Sequence, residues 1–243
     1  YGQTPSPFAS GVWSGNVTSS SASVVVRLTS PAQKVKLHVS VNPALTPAVF
    51  SSVVTTAASA GNTVTLSVQG LKPETEYFYG VEVGGVLRTE TISRGRFRTF
   101  PLGRGSFKIA FSACGDFRKA DQRAFDAIVA ERPLLFIHMG DLHYMDTNST
   151  NLEEIRANYD SVLNQPSQAA LFRNMPIAYI WDDHDFCGND SDGTATGRDA
   201  DRTVFRERTP HYPIASAGGT MAQAFTLGRA RVIMTDLRSG SSP

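Results

Sequence analysis

A two-domain chain, an all-β sandwich followed by an α/β unit, is the architecture this sequence predicts. Three observations lead there. Residues 1–100 contain no Asp and are rich in Ser, Thr and Val, whereas every Asp lies after residue 115. The first half carries short β-branched and aromatic runs separated by Gly, Pro, Ser and Asn turns, as half-buried strands do. The second half alternates strand-like apolar runs with helix-spaced ones, the pattern of βαβ units. Pro101-Leu102-Gly103-Arg104-Gly105-Ser106 reads as a linker, so the expected units are 1–100 and 107–243.

In the first half, strands are expected at Val24–Leu28, Val35–Val39, Thr63–Val68, Tyr77–Val83 and Arg96–Thr99, with a tight hairpin turn at Gly84-Gly85. This spacing suggests a β-sandwich. Leu71-Lys72-Pro73-Glu74-Thr75-Glu76-Tyr77 resembles the fibronectin type III corner, in which a Tyr at a strand start bonds back to nearby backbone. Nothing in this half suggests catalysis, and His38 alternates with apolar residues as an ordinary histidine would.

In the second half, the apolar runs Phe107–Phe111, Leu134–Met139, Ile177–Trp181 and Arg231–Met234 read as strands. Helices are expected over Ala120–Glu131 with Asp121 as a plausible cap, over Asn151–Leu163, in a shorter piece at Gln168–Phe172, and over Arg198–Arg208. Ligands of such a sheet gather at the carboxyl ends of its strands.

The bulk numbers exclude several classes. A formal net charge of +1 over 243 residues argues against a surface built wholly for nucleic acid or anionic membrane. No apolar stretch is long enough to cross a bilayer. The opening Tyr1-Gly2-Gln3-Thr4-Pro5-Ser6-Pro7 resembles a processed N-terminus, so a secreted, periplasmic or cell-surface protein is expected. The two cysteines, Cys114 and Cys187, are compatible with a disulfide, with buried thiols or with a thiolate ligand.

Each strand of the second half runs into hard-metal donors. The blocks are Ser112-Ala113-Cys114-Gly115-Asp116, Gly140-Asp141-Leu142-His143-Tyr144, Trp181-Asp182-Asp183-His184-Asp185 and Asp236-Leu237-Arg238. Asp141 is the first candidate ligand, since its two oxygens can bridge two ions and Gly140 allows a sharp turn. Alone, the pair would be an ordinary turn Asp. Tyr144 offers a phenolate and Cys114 a thiolate, a pair that points to iron over magnesium or calcium. Three acids and a His within five residues repel one another unless a cation or hydrogen bonds compensate. His184 is a candidate for binding metal or for orienting a phosphate and its leaving group. Asn189 and Asp190 follow on the same loop. Arg238 is suited either to a phosphate oxygen or to one of the acids. His143 is expected behind the ligands, His138 in the core, and His211 in a structural role.

These blocks, in this order, resemble the PhoD-type alkaline phosphatases and phosphodiesterases of the calcineurin-like metallophosphoesterase superfamily. The resemblance spans most of the chain. It implies a fibronectin III-like sandwich followed by an α/β metallophosphoesterase sandwich, with hydrolysis of a small phosphate ester by a metal-bound hydroxide. It implies Fe3+ held by Cys114, Asp141 and Tyr144, with Asp141 shared with Ca2+; Zn2+, Mn2+ or Mg2+ are the alternatives. Asp116 competes with Cys114, and either Asp183 or Asn189 fills the position of the superfamily's Asn ligand. His184 and Arg238 become the catalytic candidates. The family's later Gly-Asp-x-His block has no counterpart before Pro243. A further segment or a second polypeptide is therefore expected to complete the catalytic domain. Two rivals follow: a non-catalytic secreted binding module with an inactive phosphatase half, and a carbohydrate hydrolase working through Asp182 and Asp185.

Overall fold

The computed structural model describes residues 5–116, 118, 123–214 and 219–241. The expected cap at Asp121, the residues opening at Tyr1 and the last two, Ser242 and Pro243, lie outside these. Among the described residues, nine strands occupy the first half: β1 (Trp13–Gly15), β2 (Ala22–Arg27), β3 (Lys34–Ser40), β4 (Val49–Phe50), β5 (Val54–Thr55), β6 (Thr63–Val68), β7 (Glu76–Val83), β8 (Val86–Leu87) and β9 (Arg94–Arg98). The second half runs β10 (Ile109–Ser112), α1 (Arg123–Glu131), β11 (Leu135–His138), α2 (Leu152–Leu163), α3 (Pro166–Asn174), β12 (Ile177–Tyr179), α4 (Arg198–Arg208), β13 (Gln223–Leu227) and β14 (Ala230–Met234).

One sheet runs through both halves in the order β10-β11-β12-β1-β2-β6. β10, β11 and β12 are parallel, and β12 pairs in parallel with β1 through Gly15 and Ile177. Gly15 permits that approach: a Cβ there would lie 2.5 Å from the Ile177 carbonyl oxygen and 2.7 Å from that of Pro210. The other sheet of the first half is antiparallel, with β3 and β7 at its centre. Its β7–β8 hairpin turns at Gly84-Gly85.

The seam between the halves is packed and ionic. Trp13 is fully buried, its ring centroid 5.5 Å from Phe172 and 6.5 Å from Tyr159. Its indole N–H donates to the Arg208 carbonyl at 2.8 Å. The buried Arg208 guanidinium reaches Asp160 at 2.5 Å, and Arg27 pairs with the same carboxylate. Removing one member of such a buried pair costs far more than the pair contributes, because a charge is left stranded.

The helices follow local chemistry. Asn151 caps α2 by accepting the Glu153 N–H at 3.1 Å. α3 is longer than the expected Gln168–Phe172 piece because Pro166 opens it, where a fixed φ and a missing N–H are no loss. The fourth expected strand corrects the sequence reading. β14 does not join the parallel sheet but pairs with β13 as an antiparallel hairpin. β10 is the end strand of the large sheet, with β11 its partner among the described residues. No helix of the described residues is long and apolar enough to cross a membrane.

Candidate metal centre

The register of the parallel strands sets their carboxyl ends level: Ser112 lies opposite His138, and His138 opposite Tyr179. The loops that follow are laced together. The Cys114 N–H donates to the Gly140 carbonyl at 3.1 Å and the Gly115 N–H to the Asp141 carbonyl at 2.9 Å. Gly140 has φ +108, and a Cβ on it would lie 2.5 Å from the Asp182 Cβ. The second and third loops therefore touch at a point only glycine allows.

Asp185 is the clamp between those two loops. Its carboxylate accepts the Leu142 N–H at 2.8 Å, the Asp182 N–H at 2.7 Å and the Tyr179 hydroxyl at 2.5 Å. Burial raises its pKa to about 7, against the lowering effect of these donors. The fully engaged carboxylate is not placed to act on a sugar, which removes the basis for the carbohydrate-hydrolase rival.

Asp141 stands at the centre and is buried. Its Oδ2 accepts the Tyr144 hydroxyl at 2.9 Å and lies 3.4 Å from the Cys114 sulfur. Its Oδ1 is buried with no hydrogen-bond partner among the described residues, which a cation would satisfy. Single donor atoms of Asp141, Asp183 and His184 lie within 4.8 Å of one another. Two carboxylates and an imidazole at this spacing, with a thiol and a phenol on the shared carboxylate, fit a divalent or trivalent ion. In the metal-free chain the Tyr144 hydrogen bond draws the Cys114 pKa down, but burial and Asp141 outweigh it and leave the thiol raised. Burial, with Cys114 and Asp141 adding to it, holds Tyr144 protonated far above its usual range.

The rest of the rim carries the groups for an anion and a proton. Arg238 Nε donates to Asp182 Oδ1 at 2.5 Å, and its terminal nitrogen lies 3.6 Å from Asp183 Oδ1. Asp183 Oδ2 accepts the Asp190 N–H at 2.7 Å. Burial would raise the Asp183 pKa, but that N–H and Arg238 bring it below its ordinary value. His184 Nδ1 lies 2.6 Å from Asp146 Oδ1, and its ring centroid is 4.2 Å from that of Tyr144. Burial alone would lower the His184 pKa; the Asp146 bond and the neighbouring carboxylates reverse this and raise it.

Two further sequence candidates bond their own neighbours in the chain. Asp116 bonds the Arg118 guanidinium at 2.9 Å. Asn189 is exposed and donates its amide to the neighbouring Asp190 at 2.7 Å. Both cysteines are free thiols: Cys114 is exposed at the centre, and buried Cys187 donates to Asp201 at 2.8 Å. His138 and His143 are buried behind the loops, their ring nitrogens without hydrogen-bond partners among the described residues. Sequence reasoning missed Asp146, whose only signal is its place two residues after Tyr144. It also gave Asp236 no role beyond its block. That carboxylate accepts the Trp181 indole N–H at 2.8 Å and the Met221 N–H at 2.7 Å, so it holds the hairpin that delivers Arg238.

The fold and site together define an α/β protein with acid, imidazole, thiol and phenol donors gathered at the ends of parallel strands. Residues 2–101 match the PhoD-like phosphatase N-terminal domain, and residues 109–243 match the PhoD-like phosphatase domain. The chain belongs to the PhoD-like phosphatase family. The solved structure of PhoD superposes with a TM-score of 0.83 at 21% identity over 98% of this chain, which spans 53% of the PhoD chain. The sensor domain of the anti-sigma factor RsgI4 from Pseudobacteroides cellulosolvens is 17% identical over 41% of this chain and 100% of its own, with a TM-score of 0.32, too low to carry an argument. No curated protein matches the sequence.

Proposed function

We propose that this chain carries the metal-binding part of a metal-dependent phosphoesterase that hydrolyses small phosphate esters. One observation carries the reading: Asp141 and Asp183, carboxylates from two different loops, bring oxygens within 4.8 Å of each other, with a His184 ring nitrogen at the same spacing to serve the substrate. Cys114, Tyr144 and Asp141 suit Fe3+ by their sulfur, phenol and carboxylate donors. Asp141 and Asp183 offer the hard oxygens that Ca2+ prefers. Bound ions supply a water of pKa about 7 and neutralise charge on the phosphoryl group.

The chain's own residues divide the remaining work. Arg238, held at the rim by Asp182, presents a guanidinium to a phosphate oxygen. His184, kept protonated to higher pH by Asp146, delivers a proton to the leaving oxygen. The Tyr144 ring lies tilted against the imidazole and limits its rotation. We take the first half as fibronectin III-like on the strength of its corner: the Lys72 N–H donates to the Tyr77 hydroxyl oxygen at 2.8 Å.

The test is elemental analysis of the purified chain together with turnover of a chromogenic phosphate ester before and after chelation. Bound iron with calcium, and activity that chelator removes and metal restores, is the expected result. A chain that takes up no metal refutes the reading and leaves the non-catalytic module. An iron-loaded chain without a visible tyrosinate charge-transfer band removes Tyr144 from the ligand set.

A further inference from the structure

A cavity lies at the opposite end of the parallel strands from the metal centre. It encloses about 430 Å³ and is bounded by β9 on one side and by Lys108, Leu134 and Pro176, the residues entering β10, β11 and β12, on the other. That volume falls within the range of small-molecule sites. Its floor is apolar, made by Phe107, Leu134 and Met175, of which the last two are buried.

Its rim is cationic. Arg96, Arg98, Lys108 and Arg132 line it against two carboxylates, Glu74 and Glu76. Arg132 and Arg96 share Glu76, at 2.9 and 3.7 Å, and Lys108 pairs with Glu131 at 2.6 Å. Arg98 differs. Its Nε donates to the Glu74 carbonyl oxygen at 3.2 Å, and among the described residues it has no carboxylate partner. A second hollow adjoins across Phe107 and adds Arg104 and Arg229 without any acid. An apolar floor beneath a guanidinium that lacks a counter-charge selects a ligand with one apolar face and one anionic group.

We propose that this cleft binds a small organic anion with a flat apolar body, the body resting on Phe107, Leu134 and Met175 and the anionic group meeting Arg98. The site is separate from the metal centre and bridges the two halves of the chain. Its occupant braces β9 against the entries of the strands whose far ends carry Cys114, Asp141 and Asp183.

The test titrates the 243-residue protein with 8-anilinonaphthalene-1-sulfonate and, in parallel, with N-phenyl-1-naphthylamine, the same ring system without its sulfonate. The expected result is saturable binding of one sulfonate per chain, at least tenfold tighter than the neutral amine and weakened by salt. Arg98→Gln weakens the sulfonate at least fivefold and leaves the amine unchanged. Lys34→Gln, an exposed cation at the far end of the sandwich, changes neither. Because Arg98 is exposed, the variant keeps the wild-type melting temperature and far-ultraviolet spectrum. Equal affinity for the two probes, multiple equivalent sites, or undiminished sulfonate binding in Arg98→Gln overturns the proposal.

Discussion

His184 Nδ1 meets Asp146 Oδ1 at 2.6 Å, although the two residues stand on separate loops, after β12 and after β11. The contact fixes which imidazole nitrogen is engaged and leaves Nε2 as the one Asp146 does not touch. It also raises the His184 pKa. Asp146→Asn therefore lowers that pKa, and the alkaline limb of the kcat profile moves to lower pH. A partner that orients a functional imidazole is worth about 10- to 100-fold in activity, so kcat falls by that factor with KM little changed. His184→Asn costs more, about 10²- to 10⁴-fold. An unshifted pH profile in Asp146→Asn would show that the carboxylate only packs.

Asp141→Asn separates chemistry from folding. The substitution keeps the side chain's size but removes one of several acids that crowd the site with Asp182 and Asp183. Bound metal and turnover fall to background. The metal-free variant melts no lower than metal-free wild type, because like-charge crowding at the strand ends is relieved. Turnover near wild type in this variant contradicts the proposed function.

The sequence showed the donor blocks because each follows a buried strand whose apolar run is unmistakable, and the register of β10, β11 and β12 then sets their ends level. Asp141 and Tyr144 were legible for that reason. Two things were not. The seam, where Gly15 of β1 pairs with Ile177 of β12, joins segments more than 150 residues apart, and strand periodicity says nothing about which distant strand is the partner. The division of labour among Asp182, Asp183, Asp185 and Asp236 was also hidden. Neighbouring acids look alike in sequence, and only the donors around each one separate the clamp Asp185 from the exposed-side Asp182.

The pH dependence of stability carries a hidden balance. Burial raises Asp185 and Asp201 from 3.8 to about 7, and lowers His138 and His143 from 6.5 to about 4 and about 3. Between about pH 4.5 and 6.5 the folded chain keeps two carboxyl protons that the unfolded chain has released. Over the same window the unfolded chain carries two imidazolium protons that the folded chain excludes. The proton numbers cancel, so these four groups leave stability flat there. Depressed carboxylates such as Asp183 and Asp236 act below this window, and the raised His184 above it. Asp201→Asn removes one of the folded-state protons. The unfolded state then binds the excess proton, and stability rises with pH by ~1.4 kcal/mol per unit across the window. Urea melts of metal-free wild type and variant at three pH values read the difference between the two slopes. Equal slopes in wild type and Asp201→Asn would mean that Asp201 is ionised in the folded chain.

Gly140 gives the sharpest test of how the loops are set. Its φ of +108 disfavours any L side chain, and a Cβ there would press on the Asp182 Cβ at 2.5 Å and its backbone nitrogen at 2.7 Å. Gly70, at φ +75, is the control, since a Cβ there meets nothing within 4 Å. Gly70→Ala shows backbone strain alone, on the order of 1 kcal/mol. Gly140→Ala adds the clash and loses roughly 3 kcal/mol or more. It also pushes Asp141 away from Asp183, so metal uptake falls with stability, whereas Gly70→Ala binds metal as wild type does. Equal stability losses in the two variants, or normal metal uptake by Gly140→Ala, would mean that the second and third loops are not held together at this contact.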